Sequence, residues 1–293
     1  IFNGDLNAET ILINLTAYTQ KPLVKGDTLI FFDEIQECPS ARTAIKFLVD
    51  DGQFDYIESG SLLGVRYKEV KSYPVGYEEN YRMYPLDFEE FATANGIQPQ
   101  TIEYLKKCYD NKETVTEAVH QSMLKLFQYY IIVGGMPAVV QKFVDTKDIG
   151  EVLKIQKDIL DLYRQDISKY SDNNKEKIKS IFDLIPAQLN DRNRRFTLSD
   201  IKNSARMLRY ETSFNWLADA GVALPCYNIT EPVLPLELNL QNNLFKLFLC
   251  DTGLLCAASM GNIQFDILSG DLSVNMGSIL ENVLSLIHIS EPT

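Results

Sequence analysis

The chain has 293 residues, 45% of them hydrophobic and 23% charged, which is enough apolar material for a sizeable core and enough length for two or three domains. A net charge of −12 argues against binding nucleic acid over the whole surface, because duplex affinity comes largely from phosphate neutralisation by Lys and Arg. No apolar run reaches the roughly 18 to 20 residues that span a bilayer. With only His120 and His288, histidine-based metal or triad chemistry is excluded, and the five scattered cysteines, without a CxxC pair, read as reduced thiols of a globular cytoplasmic protein.

The first strong element is Thr28-Leu29-Ile30-Phe31-Phe32, which stops at Asp33 and Glu34. A run this apolar reads as a parallel strand buried on both faces, so its two acids emerge at the carboxyl end, where open α/β sheets bind ligands. In P-loop NTPases the acid after such a strand holds Mg²⁺, and a following Glu orients or deprotonates the attacking water. The plain alternative is an acidic strand-to-helix turn, since acids favour helix N-termini and Pro39 sits where a helix begins. Ala41, Ala44, Ile45 and Leu48 then recur at i, i+3, i+4, i+7 and pack that helix on the sheet. A second strand, Phe54 to Glu58, ends in Ser59-Gly60-Ser61, so two adjacent strands would present carboxylates and hydroxyls at one edge. Ser-Gly-Ser also suits a turn without a function.

Residues 112 to 131 and 148 to 167 read as amphipathic helices around Val133-Gly134-Gly135-Met136-Pro137. There Gly134 and Gly135 serve a tight turn or a close backbone approach by a ligand. A polar linker follows at 170 to 177. Arg192, Arg194, Arg195, Lys202, Arg206 and Arg209 crowd together with one acid, Asp200. Thr197 to Asp200 starts a helix, and Glu211 to Ala220 forms a second one closed by Gly221. The β-like runs Val222 to Tyr227 and Val233 to Leu238 come next, with Pro232 and Pro235 marking loops or an edge. The pattern suggests a winged helix, with Arg206, Arg209 and Asn215 as candidate DNA contacts and a protein-contact surface as the alternative.

Leu-Ile-Phe-Phe-Asp-Glu-Ile-Gln (29 to 36), Ser-Gly-Ser-Leu-Leu-Gly (59 to 64), Tyr-Pro-Leu-Asp-Phe-Glu-Glu-Phe (84 to 91), Val-Gly-Gly-Met-Pro (133 to 137), the run 245 to 255 and Gly277 to Asn282 occur in this order. Together they resemble the bacterial and archaeal ATPases that join an AAA-type domain to a C-terminal domain of unknown function. The resemblance implies an α/β P-loop NTPase sheet followed by a helical region and a winged-helix domain, using ATP and Mg²⁺. It implies Asp33 on the metal, Glu34 on the water as the Walker B pair, and Ser59 or Ser61 at the γ-phosphate. Val75-Gly76-Tyr77 stands where many relatives have Gly-Arg, which leaves Arg66 and Arg82 as candidates for an arginine finger.

Relatives carry a phosphate loop GxxxxGK[ST], and no such segment occurs here. The expectation is a chain truncated at both ends that binds ATP weakly and is inactive by itself. The expected organisation is an ATPase core fragment at 1–95, a helical region at 96–175 and a winged-helix-like domain at 176–258. Residues 259–285 would open a nuclease-like domain, with Glu281 as its helix acid, before a tail at 286–293 that resembles a translated sequencing adaptor. The function this implies is ATP hydrolysis in the full-length parent. The alternative is a DNA- or protein-binding switch module coupled to a nuclease-like domain.

Overall fold

In the first of two units, Ile1–Arg82, two helices cover one face of a two-stranded parallel sheet. The computed structural model describes residues 1–4, 6–60, 76–170, 174–191, 195–201, 209–259, 263–269 and 276–290. Helix α1 (Ala8–Thr19) starts at Asn7, whose side chain accepts from the Thr10 N–H at 2.8 Å, a standard N-cap. Strand β1 (Leu29–Phe32) pairs in parallel with β2 (Asp55–Glu58), Leu29 opposite Asp55 and Phe32 opposite Glu58. The crossover between them is helix α2 (Pro39–Asp51), with Pro39 in its first turn and Gly52 in the left-handed conformation at its end. Ala41, Ala44, Ile45 and Leu48 are buried as their spacing predicts, against Ile11, Leu15 and Ile30.

The expectation that β1 is buried on both faces does not hold among the described residues. Strand alternation turns Ile30, Phe32 and Tyr56 toward the helices, while Leu29, Phe31 and Ile57 are 55, 55 and 48% exposed on the other face. Both described helices contribute to one core, so among the described residues only one side of the pleat is covered.

The second unit, Met83–Thr293, is mainly helical. Helix α3 (Phe88–Ala94) carries a capping box between Asp87 and Glu90. It is followed by α4 (Pro99–Asn111), α5 (Glu117–Val133), α6 (Pro137–Thr146), α7 (Ile149–Tyr170) and α8 (Lys175–Asn190). Helix α9 (Glu211–Asp219) leads into an antiparallel hairpin, β3 (Ala223–Ile229) and β4 (Leu240–Leu249). The unit ends in α10 (Thr252–Ala258), α11 (Ile263–Ser269) and α12 (Met276–Ser290). Phe214, Phe245 and Phe196 stack where α9 meets the hairpin, with ring centroids 5.0 to 5.9 Å apart.

Two elements differ from expectation. The run Val233 to Leu238 is not a strand: its prolines break the ladder, a 3₁₀ turn occupies Leu236–Asn239, and the second strand of the hairpin begins at Leu240. Helix α7 runs on to Tyr170 and α8 starts at Lys175, so helix occupies both ends of the expected polar linker. Among the described residues no helix is long and apolar enough to cross a membrane.

Candidate functional site at the carboxyl edge of the parallel sheet

The parallel register brings the ends of β1 and β2 side by side, and with them Asp33 and Ser59. The Ser59 N–H donates to the Phe32 carbonyl at 2.9 Å and the Ile35 N–H to the Ser59 carbonyl at 3.0 Å, so the ladder continues one step past the strands. The Ser59 hydroxyl donates to Asp33 Oδ1 at 2.5 Å, and the Glu34 N–H donates to the same oxygen at 3.1 Å. Asp33 is exposed, and its Oδ2 has no hydrogen-bond partner among the described residues.

Glu34 adopts a left-handed backbone conformation (φ 51°, ψ 46°), uncommon for a residue with a Cβ, and caps a 3₁₀ turn over Ile35–Glu37. Its Oε2 accepts from the Gln36 side-chain amide. Behind this edge, Arg42 in the first turn of α2 is only 4% exposed. Its guanidinium is bonded to Glu58, the last residue of β2, and to Glu78, whose Oε1 accepts from Nη2 at 2.6 Å. Burial pushes the Glu58 carboxyl up; Arg42 pulls it down, and Glu78 adds to the upward push. Gln36 and Arg42 had no role in the sequence reading. Gln36 lies inside a quoted motif, whereas Arg42 gave only the weak signal of a charge beside an apolar stripe.

The other candidate residues lie apart or outside the described chain. Arg82 is exposed at the end of the first unit, and Arg209 and Asn215 are exposed in the second. Ser61, Arg66 and Arg206 lie outside the described residues. Glu281, the expected nuclease-like helix acid, is ion-paired with Lys246 of β4.

In the second unit the motifs meet in a buried polar hub. Asp251 is 1% exposed; its Oδ2 accepts from the Gly135 N–H at 2.6 Å and its Oδ1 caps α10 through the Leu254 N–H at 2.8 Å. Burial pushes the carboxyl up to about 6, against the pull of the N–H groups of Gly135, Leu254, Gly253 and Met136. A Cβ on Gly134 would lie 2.2 Å from Asp251 Oδ1, and one on Gly135 would lie 2.0 Å from the Leu86 carbonyl oxygen. The paired glycines therefore admit this chain's own Asp251 and Leu86 as close neighbours. Asn282, fully buried, bonds the Leu249 N–H and carbonyl, joining the Gly277 to Asn282 motif to the hub. Cys250 and Cys256 are buried nearby, and burial pushes both thiols up, Cys250 to about 12.

Residues 2–92 match a family model described as AAA domain, and residues 124–264 match one described as Domain of unknown function (DUF8612). No curated protein matches the chain. Among solved structures, the Walker-type ATPase of Pyrococcus abyssi is similar over 86% of this chain and 67% of its own, with 13% identity and a TM-score of 0.45. The two family matches give the arrangement of an AAA-type P-loop ATPase, an AAA domain followed by a C-terminal domain of unknown function.

Proposed function

We propose that the carboxyl edge of β1 and β2 is the metal- and water-handling half of an ATP hydrolysis site. The observation that carries this reading is the parallel register that sets Asp33 and Ser59 together, with the Ser59 hydroxyl on Asp33 Oδ1. Mg²⁺ is typically held by one or two carboxylates plus substrate phosphates and water, and an exposed acid with one oxygen unpartnered among the described residues fits that need. Asp33 would hold the ion, which when bound neutralises charge on the β- and γ-phosphate oxygens. Ser59 fixes the rotamer of Asp33, and Ser59 or Ser61 would sense the γ-phosphate. Glu34, turned out of the strand by its left-handed backbone, takes the proton of the attacking water, and Gln36 holds its carboxylate until then. Arg66 or Arg82 remains the candidate for an arginine finger.

The 293 residues contain no GxxxxGK[ST] segment, so the donor-rich cradle for the phosphates is not among them. By itself the chain is expected to bind Mg-ATP weakly and to hydrolyse none. The test is made in a version that carries a phosphate loop. Glu34→Gln is expected to keep nucleotide binding while turnover falls by about 2 to 4 orders of magnitude. Asp33→Ala is expected to weaken Mg-dependent binding as well. Parent-level turnover by the Gln variant would reject the assignment.

A second reading concerns residues 176–258 as a winged-helix module. It is supported by α8, α9 and the β3–β4 hairpin sharing one core. From Asn228 to Phe245 the hairpin carries no Lys or Arg and two acids, Glu231 and Glu237, which favours contact with protein over duplex DNA.

A further inference from the structure

The hairpin of the second unit ends in an apolar, acidic tip. Val233, Leu234, Leu236, Leu238 and Leu240 are 56, 83, 41, 82 and 38% exposed. The tip is held in shape by its own bonds: Thr230 N–H to the Asn239 carbonyl at 3.0 Å, Asn239 Nδ2 to the Val233 carbonyl at 3.2 Å, and Leu238 N–H to the Pro235 carbonyl at 3.3 Å. A preorganised apolar surface of this kind marks an interaction site and loses little entropy on docking. Glu231 and Glu237 stand among its side chains, and Glu237 lies between Leu236 and Leu238 on the 3₁₀ turn.

The same unit carries a surface of the opposite character. A cleft of about 290 Å³ has Leu126, Tyr129 and Phe143 as its floor and Lys125 and Lys147 at its rim, and no carboxylate lines it. The Tyr129 and Phe143 rings lie 5.0 Å apart, and Lys147 Nζ sits 4.5 Å from the Phe143 centroid while donating to Asn95 Oδ1 at 2.6 Å. Among the described residues neither lysine forms an ion pair. In a protein of net charge −12, a cleft lined by two lysines and no acid is a local reversal of sign.

We propose that the hairpin tip of one copy docks in this cleft of a second copy, with Leu234 and Leu238 on the aromatic floor and Glu237 beside Lys125 and Lys147. Charge selects this occupant. A tip-to-tip contact would set Glu231 and Glu237 against their own kind, and the same acids repel duplex DNA and anionic lipid. The two surfaces differ, so the contact is heterologous and propagates head to tail, closing into a ring or extending according to its rotation. It is small, and the association is correspondingly weak and dependent on concentration.

The test is sedimentation equilibrium of the 293-residue chain over a concentration series at low and high salt. Self-association that weakens as salt rises is expected. Lys125→Glu with Lys147→Glu, and separately Glu231→Lys with Glu237→Lys, should each lower the association constant at least about tenfold, as juxtaposed like charges do. An equimolar mixture of these two variants should associate again, because the reversed cleft of one accepts the reversed tip of the other. Misfolded variants could not do this. Leu234→Ser with Leu238→Ser should abolish association while Trp216 fluorescence stays as in the parent. A monomer at every concentration, association untouched by both charge reversals, or a mixture that stays monomeric would overturn the proposal.

Discussion

Replacing Gly253 with Ala sets two effects of opposite sign against each other. Gly253 lies in the first turn of α10, where Ala should improve helix propensity by up to about 1 kcal/mol. A Cβ at this position, however, would lie 2.3 Å from the Val133 carbonyl oxygen, 2.4 Å from its carbon and 2.6 Å from Gln156 Nε2. Relieving those contacts requires α10 to draw back from the end of α5 by about 1 Å, a displacement that well-packed interiors resist. Gln156, fully buried, donates from the same nitrogen to the Ile132 and Val133 carbonyls at 2.8 and 3.0 Å, so the shift also strains that pair.

Overpacking costs about 1 to 3 kcal/mol and a weakened buried hydrogen bond about 1 kcal/mol more. After the gain in propensity, the net loss is about 1 to 3 kcal/mol, or a fall in Tm of about 2 to 12 °C for a unit of this size. Trp216 is the only tryptophan and packs against the core of this unit, so its fluorescence during thermal or urea unfolding reports the change directly. A Gly253→Ala chain as stable as the parent would refute the steric argument and show that propensity prevails.

Arg42→Met leaves Glu58 and Glu78, with side chains 13 and 21% exposed, without their shared cation, and should destabilise the first unit by about 3 to 5 kcal/mol. Replacing all three residues with Met should recover most of that loss, since an apolar cluster needs no counterion; amide hydrogen exchange over β1 and β2 reads both outcomes, and parent-like protection in the single variant would refute the assignment. Asp251 should make the second unit's stability depend on pH. Its carboxyl is raised from 3.8 to about 6, so its contribution is fully present below about pH 4 and is lost as pH rises through about 6. Measured against Asp251→Asn, the parent should lose about 2 to 2.5 kcal/mol between pH 4 and pH 7, and a gap that stays constant with pH would refute this.

The parts of the first unit set by short periods were legible in the sequence. The stripe Ala41, Ala44, Ile45 and Leu48 gives α2, and two β-runs ending in Asp33 and Ser59 give the shared edge, because alternation and helical spacing are local signals. The left-handed backbone at Glu34 is set by the turn and leaves no compositional mark. Arg42 finds its partners 16 and 36 residues away, and Gly135 finds Asp251 after 116, separations at which no periodicity operates. The extended reading of Val233 to Leu238 failed for a related reason: hydrophobicity suited a strand, but in the fold those side chains are largely at the surface rather than in a pleat.

The acids inside the motifs have opposite fates, and this bears on what the family resemblance conveys. Asp33 is exposed, with one oxygen engaged by Ser59 and Glu34 and the other without a partner among the described residues. Asp251 is closed in by Gly134 and Gly135 and gives its oxygens to backbone N–H groups. No ligand reaches Asp251 without parting α5 from α10, because a single methyl group at Gly134 would already overlap its carboxylate. Its burial is tolerable because the N–H groups around it partly offset the desolvation of the charge; those groups tie the 133–137 and 245–255 segments together, and the Leu86 N–H brings in 84–91 by donating to the Gly135 carbonyl at 2.8 Å. The motifs of the second unit therefore encode packing, and substitutions there should act through the amount of folded protein. On the proposed reading, the chemistry that the chain contributes to a nucleotide comes from the exposed edge that carries Asp33 and Ser59.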